Sequence, residues 1–202
     1  MPEITTDPAL LALTALAAYL LGAVPFGIVI ARLFGLGDLR KIGSGNIGAT
    51  NVLRTGNKTA AALTLVLDAG KAGIAVLIAR ALLAEDAAQL AGFAAFLGHC
   101  FPVYLGFRGG KGVATFLGTL LALWWPLGLA ACAVWLAIAR LFRISSLSAL
   151  VAAVLTPGFA WGFGHPDLVI LSLLLGILVF FRHKENIIRL LNGTEPKIGA
   201  KN

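Results

Sequence analysis

The sequence predicts an all-α, polytopic membrane protein with seven transmembrane helices, folded as a single domain over residues 1–202. Hydrophobic residues make up 59% of the chain and charged residues only 12%, whereas soluble domains carry roughly 25% charged residues. The apolar residues are gathered in long runs that short polar segments separate. Because backbone groups cannot go unpaired in lipid, each run is expected to cross the membrane as a helix.

Seven apolar runs are the candidate spans. The first is interrupted near its end by Gly22, Pro25 and Gly27, and only a short Trp-Trp-Pro-Leu-Gly turn separates the fourth from the fifth. Several are shorter than the roughly 20 residues that a spanning helix prefers. The runs cover about residues 9–34, 60–83, 87–104, 113–126, 127–141, 147–161 and 168–181.

The basic residues predict how these spans are oriented. Fourteen of the sixteen Lys and Arg residues fall in alternate loops and in the C-terminal tail, while Arg80 shares the opposite side with five carboxylates and Lys71 lies inside the second span. Because cytoplasmic loops are enriched in Lys and Arg, the N-terminus is expected outside and the C-terminus in the cytoplasm. The fourteen are Arg32, Arg40, Lys41, Arg54, Lys58, Arg108, Lys111, Arg140, Arg143, Arg182, Lys184, Arg189, Lys197 and Lys201.

The first polar motif, GSGNIGATNVLR at 43–54, predicts a phosphate-binding loop. Glycines let backbone N–H groups approach an anion, short polar side chains add hydrogen bonds, and an arginine adds a forked cation. The alternative is an ordinary polar loop in which the glycines make turns. The candidate binding groups are Gly43, Ser44, Gly45, Asn46, Thr50, Asn51 and Arg54.

The second motif, GHCFPVYLGFRGGKGVAT at 98–115, places glycines and one lysine just before the predicted start of the fourth span. Successive N–H groups and a helix N-terminus favour an anion there. The alternative is a glycine turn with an interfacial lysine. The motif is not a P-loop, because Gly112 follows Lys111 where Ser or Thr is required. Its candidate binding groups are Gly109, Gly110, Lys111, Gly112 and Thr115.

The third motif, HKENIIRL at 183–190, puts His183, Asn186 and Arg189 (or Leu190) on one face of a predicted helix. An amphipathic tail with a basic rim is the alternative interpretation. Asp68 and Lys71, three residues apart in the second span, form either a structural ion pair that tethers helices or a direct part of the site.

Together the three motifs closely resemble the PlsY family of bacterial acyl-phosphate:glycerol-3-phosphate acyltransferases. The resemblance covers nearly the whole chain and departs mildly at 68–72, where the family's Asp-x-x-Lys-Gly ends in Ala72. It implies transfer of a fatty acyl group from acyl phosphate to the 1-hydroxyl of sn-glycerol 3-phosphate, giving lysophosphatidic acid at the first step of phospholipid biosynthesis. It also implies a multi-pass protein of the bacterial cytoplasmic (inner) membrane, with the active site on the cytoplasmic face.

The expected partners are the two substrates, membrane lipid and, as candidates, other enzymes of phospholipid synthesis. No cofactor, metal or nucleic acid is expected. No His-x4-Asp dyad is present, so substrate assistance is the expected mechanism, with His183 as general base the competing one. A transporter of a phosphorylated metabolite and a non-catalytic scaffold are the rival functions. The residues expected to be catalytic are Ser44, Arg54, Lys111, His183 and Asn186.

Overall fold

The computed structural model describes residues 2–199, so Lys201, which the charge pattern assigns to the cytoplasmic tail, lies outside the described range. Within that range the chain is helical and contains no strand. Short 3₁₀ turns at Leu39–Lys41, Val103–Leu105 and Pro166–Leu168 join some of the helices. The helices are α1 Pro8–Ala23, α2 Phe26–Leu33, α3 Ala49–Arg54, α4 Lys58–Leu82, α5 Glu85–Cys100, α6 Val113–Leu123, α7 Trp125–Phe142, α8 Ser145–Gly162, α9 Val169–Arg182 and α10 Lys184–Leu191.

Each of the seven predicted apolar runs is helical, and five helical segments are long and apolar enough to cross a membrane. A sixth candidate span is the pair Pro166–Arg182 and Lys184–Leu191, which is bent by 65°. Helix α6 has only 11 residues and is therefore about 16 Å long. The all-helical membrane architecture is thus confirmed with five or six candidate spans, and the full count of seven stays a prediction.

The first span is broken at Pro25, as the sequence predicts. Proline has no backbone N–H to donate, and α1 ends at Ala23 while α2 begins at Phe26. After the break, Gly27 lies so close to the Ile47 carbonyl that a Cβ atom would overlap it. The break therefore lets α2 pack closely on the first polar motif, whose second half forms α3 rather than an extended loop.

Helix α5 is the centre of the bundle and packs against α1, α4, α6 and α9. Small residues fill its contact faces, among them Ala91, Ala95 and Gly98. A Cβ atom at position 98 would overlap the Tyr19 carbonyl and the backbone nitrogen of Ala23. Such close approach of small residues is how helices associate where no water drives them together.

Large apolar side chains cover the outside of the bundle. Leu13, Leu136 and Ile177 are each more than 60% exposed, although they lie in the middle of long apolar helices. A contiguous apolar surface of this kind marks a membrane or protein contact. The exposed face of the bundle is therefore the lipid-facing surface.

At the end of α6 away from the polar motifs, a half-buried arginine pairs with the last carbonyl groups of the helix. Arg80 donates to the carbonyls of Ala122 (2.6 Å) and Leu123 (2.8 Å) and pairs with Glu85 at 2.8 Å. The last carbonyls of a helix lack intrahelical partners. Arg80 supplies the donors that these carbonyls need.

We expect Gly98→Ala to lower the melting temperature of the purified protein. The added methyl group would meet backbone atoms of α1, which cannot move aside as a side chain can, and overpacking of this kind costs roughly 1–3 kcal/mol. Gly70→Ala is the matched control, since nothing lies within 4 Å of its added Cβ. Thermal unfolding in detergent measures both; equal melting temperatures for the two variants would contradict the packing of α1 on α5.

Candidate functional site

The first polar motif is organised around the side chain of Asn51, which is 1% exposed. Its Oδ1 accepts from the backbone N–H of Ser44 at 3.1 Å and from Nη1 of Arg54 at 3.2 Å. Its Nδ2 donates to the carbonyls of Leu39 at 2.9 Å and Asn46 at 2.7 Å. Asn51 therefore holds Ser44 and Arg54 side by side, and its own polar atoms are committed within the loop.

A glycine is required at position 43 because the chain turns there with φ of +52°. A Cβ atom at this position would lie 2.6 Å from Cδ of Arg54 and 2.7 Å from Oδ1 of Asn51. The arginine can therefore cross over the turn only if residue 43 has no side chain.

The glycines of the second motif play a different part from the one expected. The N–H of Gly109 donates to the Cys100 carbonyl at 3.2 Å, and that of Gly110 donates to the His99 carbonyl at 3.1 Å. These N–H groups are not available to an anion, because the free carbonyls at the end of α5 take them. The expectation of successive N–H donors at Gly109 and Gly110 is therefore wrong.

The carbonyls of Gly109 and Gly110 are held as well. Nη2 of Arg182 donates to Gly109 at 2.9 Å and Nε donates to Gly110 at 3.0 Å. Both faces of the glycine loop are thus fixed, and the loop presents Lys111 and Gly112 ahead of the first turn of α6. Gly112 has φ of +81°, which suits the abrupt start of this helix.

Lys111 is the cation that the glycine loop delivers. Burial lowers the pKa of Lys111 to about 8, an effect that the Glu195 carboxylate opposes and the Arg189 cation assists. Arg54 is close enough to act on the same ammonium group. Residues from all three motifs therefore meet at one cationic cluster.

The third motif places two buried acceptors in this cluster. Nδ1 of His183 lies 2.8 Å from the Val179 carbonyl, and since a carbonyl can only accept, Nδ1 carries the proton and Nε2 of the neutral ring is left as an acceptor. Nδ2 of Asn186 donates to the Glu195 carboxylate, which fixes the orientation of the amide. Oδ1 of Asn186 has no partner among the described residues, although the residue is 3% exposed.

Glu195 belongs to the cluster, although no motif in the sequence indicated it. Its carboxylate accepts from Ser146 Oγ at 2.7 Å, from Asn186 and from Arg189 Nε at 2.7 Å. Burial would raise the pKa of Glu195, but these donors outweigh it and the pKa is lowered. The available signal was a single carboxylate in a basic tail, which alone indicates nothing about contacts.

Three predicted binding residues lie at the margin of the cluster or outside it. Thr115 is fully buried between α6 and α4 and donates to the Asp68 carbonyl at 3.1 Å. The Asn46 side chain accepts from the N–H of Ile47 at 2.9 Å. Thr50 reaches Ser145 at 3.2 Å and so joins the first motif to the start of α8.

Asp68 and Lys71 form an ion pair of 2.9 Å, and both are 3% exposed. Lys71 also donates to the Val24 carbonyl at the break in the first span, at 2.9 Å. Nδ1 of His99 lies 3.6 Å from Oδ1 of Asp68, a proximity that no sequence spacing shows. The His99 ring lies against Gly110, where a Cβ atom would overlap it, so the pair lies beneath the glycine loop and tethers helices.

Among residues 2–199, no group of three or more His, Cys, Asp or Glu side chains could hold a metal ion. The cluster is instead made of cations, one structural carboxylate and neutral acceptors. Such a set can bind a phosphate monoester and can accept hydrogen bonds from hydroxyl groups.

Comparison with known proteins agrees with this chemistry. Residues 12–193 match the protein family described as Glycerol-3-phosphate acyltransferase. A protein of that name from Dinoroseobacter shibae is 74% identical over 201 residues, covering 100% of this chain and 99% of the relative. One from Jannaschia sp. is 71% identical over 199 residues, covering 98% of each.

Solved structures show the same fold. The glycerol 3-phosphate form of PlsY, an integral membrane glycerol 3-phosphate acyltransferase, superposes with a TM-score of 0.88 at 41% identity, over 94% of this chain and 96% of that one. Its lysophosphatidic acid form gives a TM-score of 0.87 at 40% identity, over 94% and 95% of the two chains.

We expect anion binding at the cluster to weaken as the pH rises through about 8, because Lys111 is charged below its lowered pKa and neutral above it. Sulfate is a suitable probe because its charge does not change over this range. Loss of one charged hydrogen-bond donor predicts about tenfold weaker binding at high pH. Calorimetric titration of the purified protein with sulfate, at pH values below and above 8, measures this change in affinity.

Lys111→Arg should remove this pH dependence, since arginine stays protonated. Lys58→Met, which removes an exposed lysine at the start of α4, should leave the pH dependence of sulfate binding unchanged. A wild-type affinity that does not change across this pH range would contradict the assignment of Lys111 as an anion ligand.

Proposed function

This chain belongs to the glycerol-3-phosphate acyltransferase family, and we propose that it transfers a fatty acyl group from acyl phosphate to the 1-hydroxyl of sn-glycerol 3-phosphate. The products are lysophosphatidic acid and inorganic phosphate. The observation that carries the proposal is a set of cations beside two acceptors, Nε2 of His183 and Oδ1 of Asn186, to which no residue in 2–199 donates. sn-Glycerol 3-phosphate offers the matching groups, one phosphate and two free hydroxyls.

The phosphate of glycerol 3-phosphate binds Arg54, Lys111 and the hydroxyl of Ser44. Asn51 holds Arg54 beside Ser44, and the glycine loop presents Lys111 from the other side. An arginine fork and a flexible ammonium together suit a phosphate dianion. Gly43, Gly45, Asn46, Thr50 and Gly112 shape the loops that deliver these groups.

The two hydroxyls donate to Nε2 of His183 and to Oδ1 of Asn186. Glu195 acts as a positioning residue here, because a carboxylate accepts only and therefore turns the amide oxygen of Asn186 toward the ligand. The Val179 carbonyl does the same for His183 by holding its Nδ1–H. Binding at two points orients the 1-hydroxyl toward the acyl carbonyl carbon.

In the transfer step, the 1-hydroxyl oxygen forms a bond to the acyl carbon and the bond from that carbon to the phosphate oxygen breaks. The 1-hydroxyl gives up its hydrogen bond to the protein acceptor, its proton passes to a phosphate oxygen of the donor, and phosphate leaves. Arg54 and Lys111 stabilise the negative charge. His183 is the competing acceptor of the proton, because Nε2 of its neutral ring is an acceptor that pairs with no donor among the described residues.

Purified protein given acyl phosphate and glycerol 3-phosphate tests the proposal directly. We expect formation of lysophosphatidic acid in proportion to release of phosphate. Flux of glycerol 3-phosphate into liposomes without acyl transfer would favour a transporter instead. If the purified protein showed neither flux nor transfer, a non-catalytic scaffold would be favoured.

We expect His183→Gln to keep an appreciable kcat with an unchanged pH–rate profile. Glutamine can accept a hydrogen bond in place of Nε2 but cannot serve as a base near neutral pH. A loss of kcat near 10⁴-fold, the upper range for removing a general base, together with loss of an inflection in the pH–rate profile, would instead identify His183 as the general base. Asn186→Leu removes the neighbouring hydrogen-bond acceptor and is the variant with which His183→Gln is compared.

We place the protein in the bacterial inner membrane with its three motifs facing the cytoplasm, an orientation that the charge pattern supports. We expect a cysteine at position 3 to react with an impermeant thiol reagent in intact cells and a cysteine at position 197 not to react. Glu3 and Lys197 are both exposed, and Cys100 and Cys132 would first be replaced. Labelling at position 197 from outside would overturn the orientation.

A further inference from the structure

Asn186 lies in the site in one orientation only, although the two ends of an amide are nearly the same size. Its Nδ2 donates to Oε1 of Glu195, while its Oδ1 is buried and has no partner among residues 2–199. Turning the amide over would set its oxygen against the carboxylate of Glu195, and neither group has a proton to donate. The other end of the amide is therefore an acceptor, and it needs a donor that the described chain does not supply.

Two further donors hold the carboxylate of Glu195 in its ionised form. Oγ of Ser146 donates to Oε1 at 2.7 Å, and Nε of Arg189 donates to Oε2 at 2.7 Å. Burial alone would raise the pKa of Glu195, but the hydrogen bonds from Ser146, Asn186 and Arg189 lower it. Near neutral pH, Glu195 therefore has no proton that it could donate to a reversed amide.

The C-terminal tail fixes Glu195 in this position by contacts of its own. The tail turns at Gly193, which has φ of +68°, and then pairs with the corner between α7 and α8. There the N–H of Ile198 donates to the Arg143 carbonyl at 2.6 Å, and Nη2 of Arg143 donates to the Ile198 carbonyl at 3.2 Å. The chain itself thus sets the orientation of Asn186.

His183 presents a second acceptor that is fixed in a similar way. Its Nδ1 lies 2.8 Å from the Val179 carbonyl, which can only accept, and the residue is 2% exposed, so burial disfavours the charged ring. Nε2 of His183 is therefore an acceptor, as Oδ1 of Asn186 is. The two acceptors differ in basicity, because an imidazole nitrogen can take up a proton near neutral pH and an amide oxygen cannot.

This difference assigns the two hydroxyls of the substrate. The reacting 1-hydroxyl must part with its proton, so it belongs beside His183, the residue that competes for that proton. The 2-hydroxyl keeps its proton throughout the reaction and belongs beside Oδ1 of Asn186. Carbon 2 of the substrate therefore faces an acceptor that cannot become a donor.

We propose that Glu195 makes the site selective for a 2-hydroxyl over a 2-ketone, because it prevents the amide of Asn186 from turning its donor end toward the substrate. This inference rests on the proposed function and names the class of acceptor substrate that the site takes. The 2-keto analogue, dihydroxyacetone phosphate, has the same phosphate and the same 1-hydroxyl. Its ketone oxygen only accepts, so it would face Oδ1 of Asn186 with no proton between them. Sites built to hydrogen-bond a hydroxyl group reject analogues that cannot donate.

The test measures the affinity of three ligands for the purified protein by calorimetric titration, without an acyl donor. The ligands are sn-glycerol 3-phosphate, its 2-keto analogue and 3-hydroxypropyl phosphate, which has no oxygen at carbon 2. We expect 3-hydroxypropyl phosphate to bind about tenfold more weakly than glycerol 3-phosphate, because Oδ1 of Asn186 loses its donor. The 2-keto analogue should bind about tenfold more weakly again, because an acceptor opposes its oxygen. A 2-keto analogue that bound as tightly as 3-hydroxypropyl phosphate would overturn the proposal.

Glu195→Gln tests the positioning residue. Glutamine has the same size, but its NH₂ group can donate to Oδ1 of Asn186, which lets the amide turn its own NH₂ group toward carbon 2. We expect the preference for glycerol 3-phosphate over the 2-keto analogue to fall from about 100-fold to less than about tenfold. A merely structural role would weaken the binding of both ligands alike and leave this preference unchanged, and that result would overturn the proposal. Ser146→Ala is the matched control, since it removes a donor but keeps the carboxylate, and it should retain the preference.

Asn186→Leu gives the same test if Glu195→Gln does not fold. Leucine neither accepts from a hydroxyl nor opposes a ketone, so the two ligands should bind with similar affinity. A preference near 100-fold that persisted in this variant would overturn the proposal.

Binding without an acyl donor separates this inference from the proposed function. If the predicted preference is found in wild type and lost in Glu195→Gln, but no lysophosphatidic acid forms, the proposed function is wrong and the selectivity stands. If lysophosphatidic acid forms but the 2-keto analogue binds no more weakly than 3-hydroxypropyl phosphate, the selectivity is wrong and the proposed function stands.

Discussion

The candidate site depends on the two carbonyl groups at the end of α5. His99 and Cys100 leave carbonyls that the helix cannot pair, and the N–H groups of Gly109 and Gly110 satisfy them. This docking needs glycine, because a Cβ atom at either position would overlap the end of α5. The central helix of the bundle thereby fixes the loop that presents Lys111, and packing deep in the membrane sets the geometry of a polar site at its edge.

Three basic side chains of the bundle are matched by polar groups beside them. Lys71 is matched by Asp68 and by the free Val24 carbonyl that the proline break creates. Arg80 is matched by Glu85 and by the end of α6, and Arg182 by the glycine loop. In an apolar surrounding an unmatched charge is very costly, so each of these three cations lies beside groups that accept hydrogen bonds from it.

Much of this arrangement could be predicted from sequence, because apolar runs and clustered polar residues are local signals. The runs became helices, Pro25 became a break, and residues from the three motifs converged. What sequence could not supply was contact across long separations. Glu195 reaches Asn186 through a turn in the tail, His99 meets Asp68 from another helix, and the N–H groups of Gly109 and Gly110 turn inward because a distant helix end needs them. None of these follows from spacing.

The shortness of α6 sets how much apolar protein separates the site from the opposite end of the bundle. At about 16 Å, α6 is little more than half as long as a hydrocarbon core of about 30 Å is thick, and the Arg80–Glu85 pair lies at its far end. No residue of α6 is exposed, so neighbouring helices, rather than lipid, cover its sides. The apolar layer between Lys111 and the Arg80–Glu85 pair is therefore made of protein and is about half as thick as the core of a bilayer.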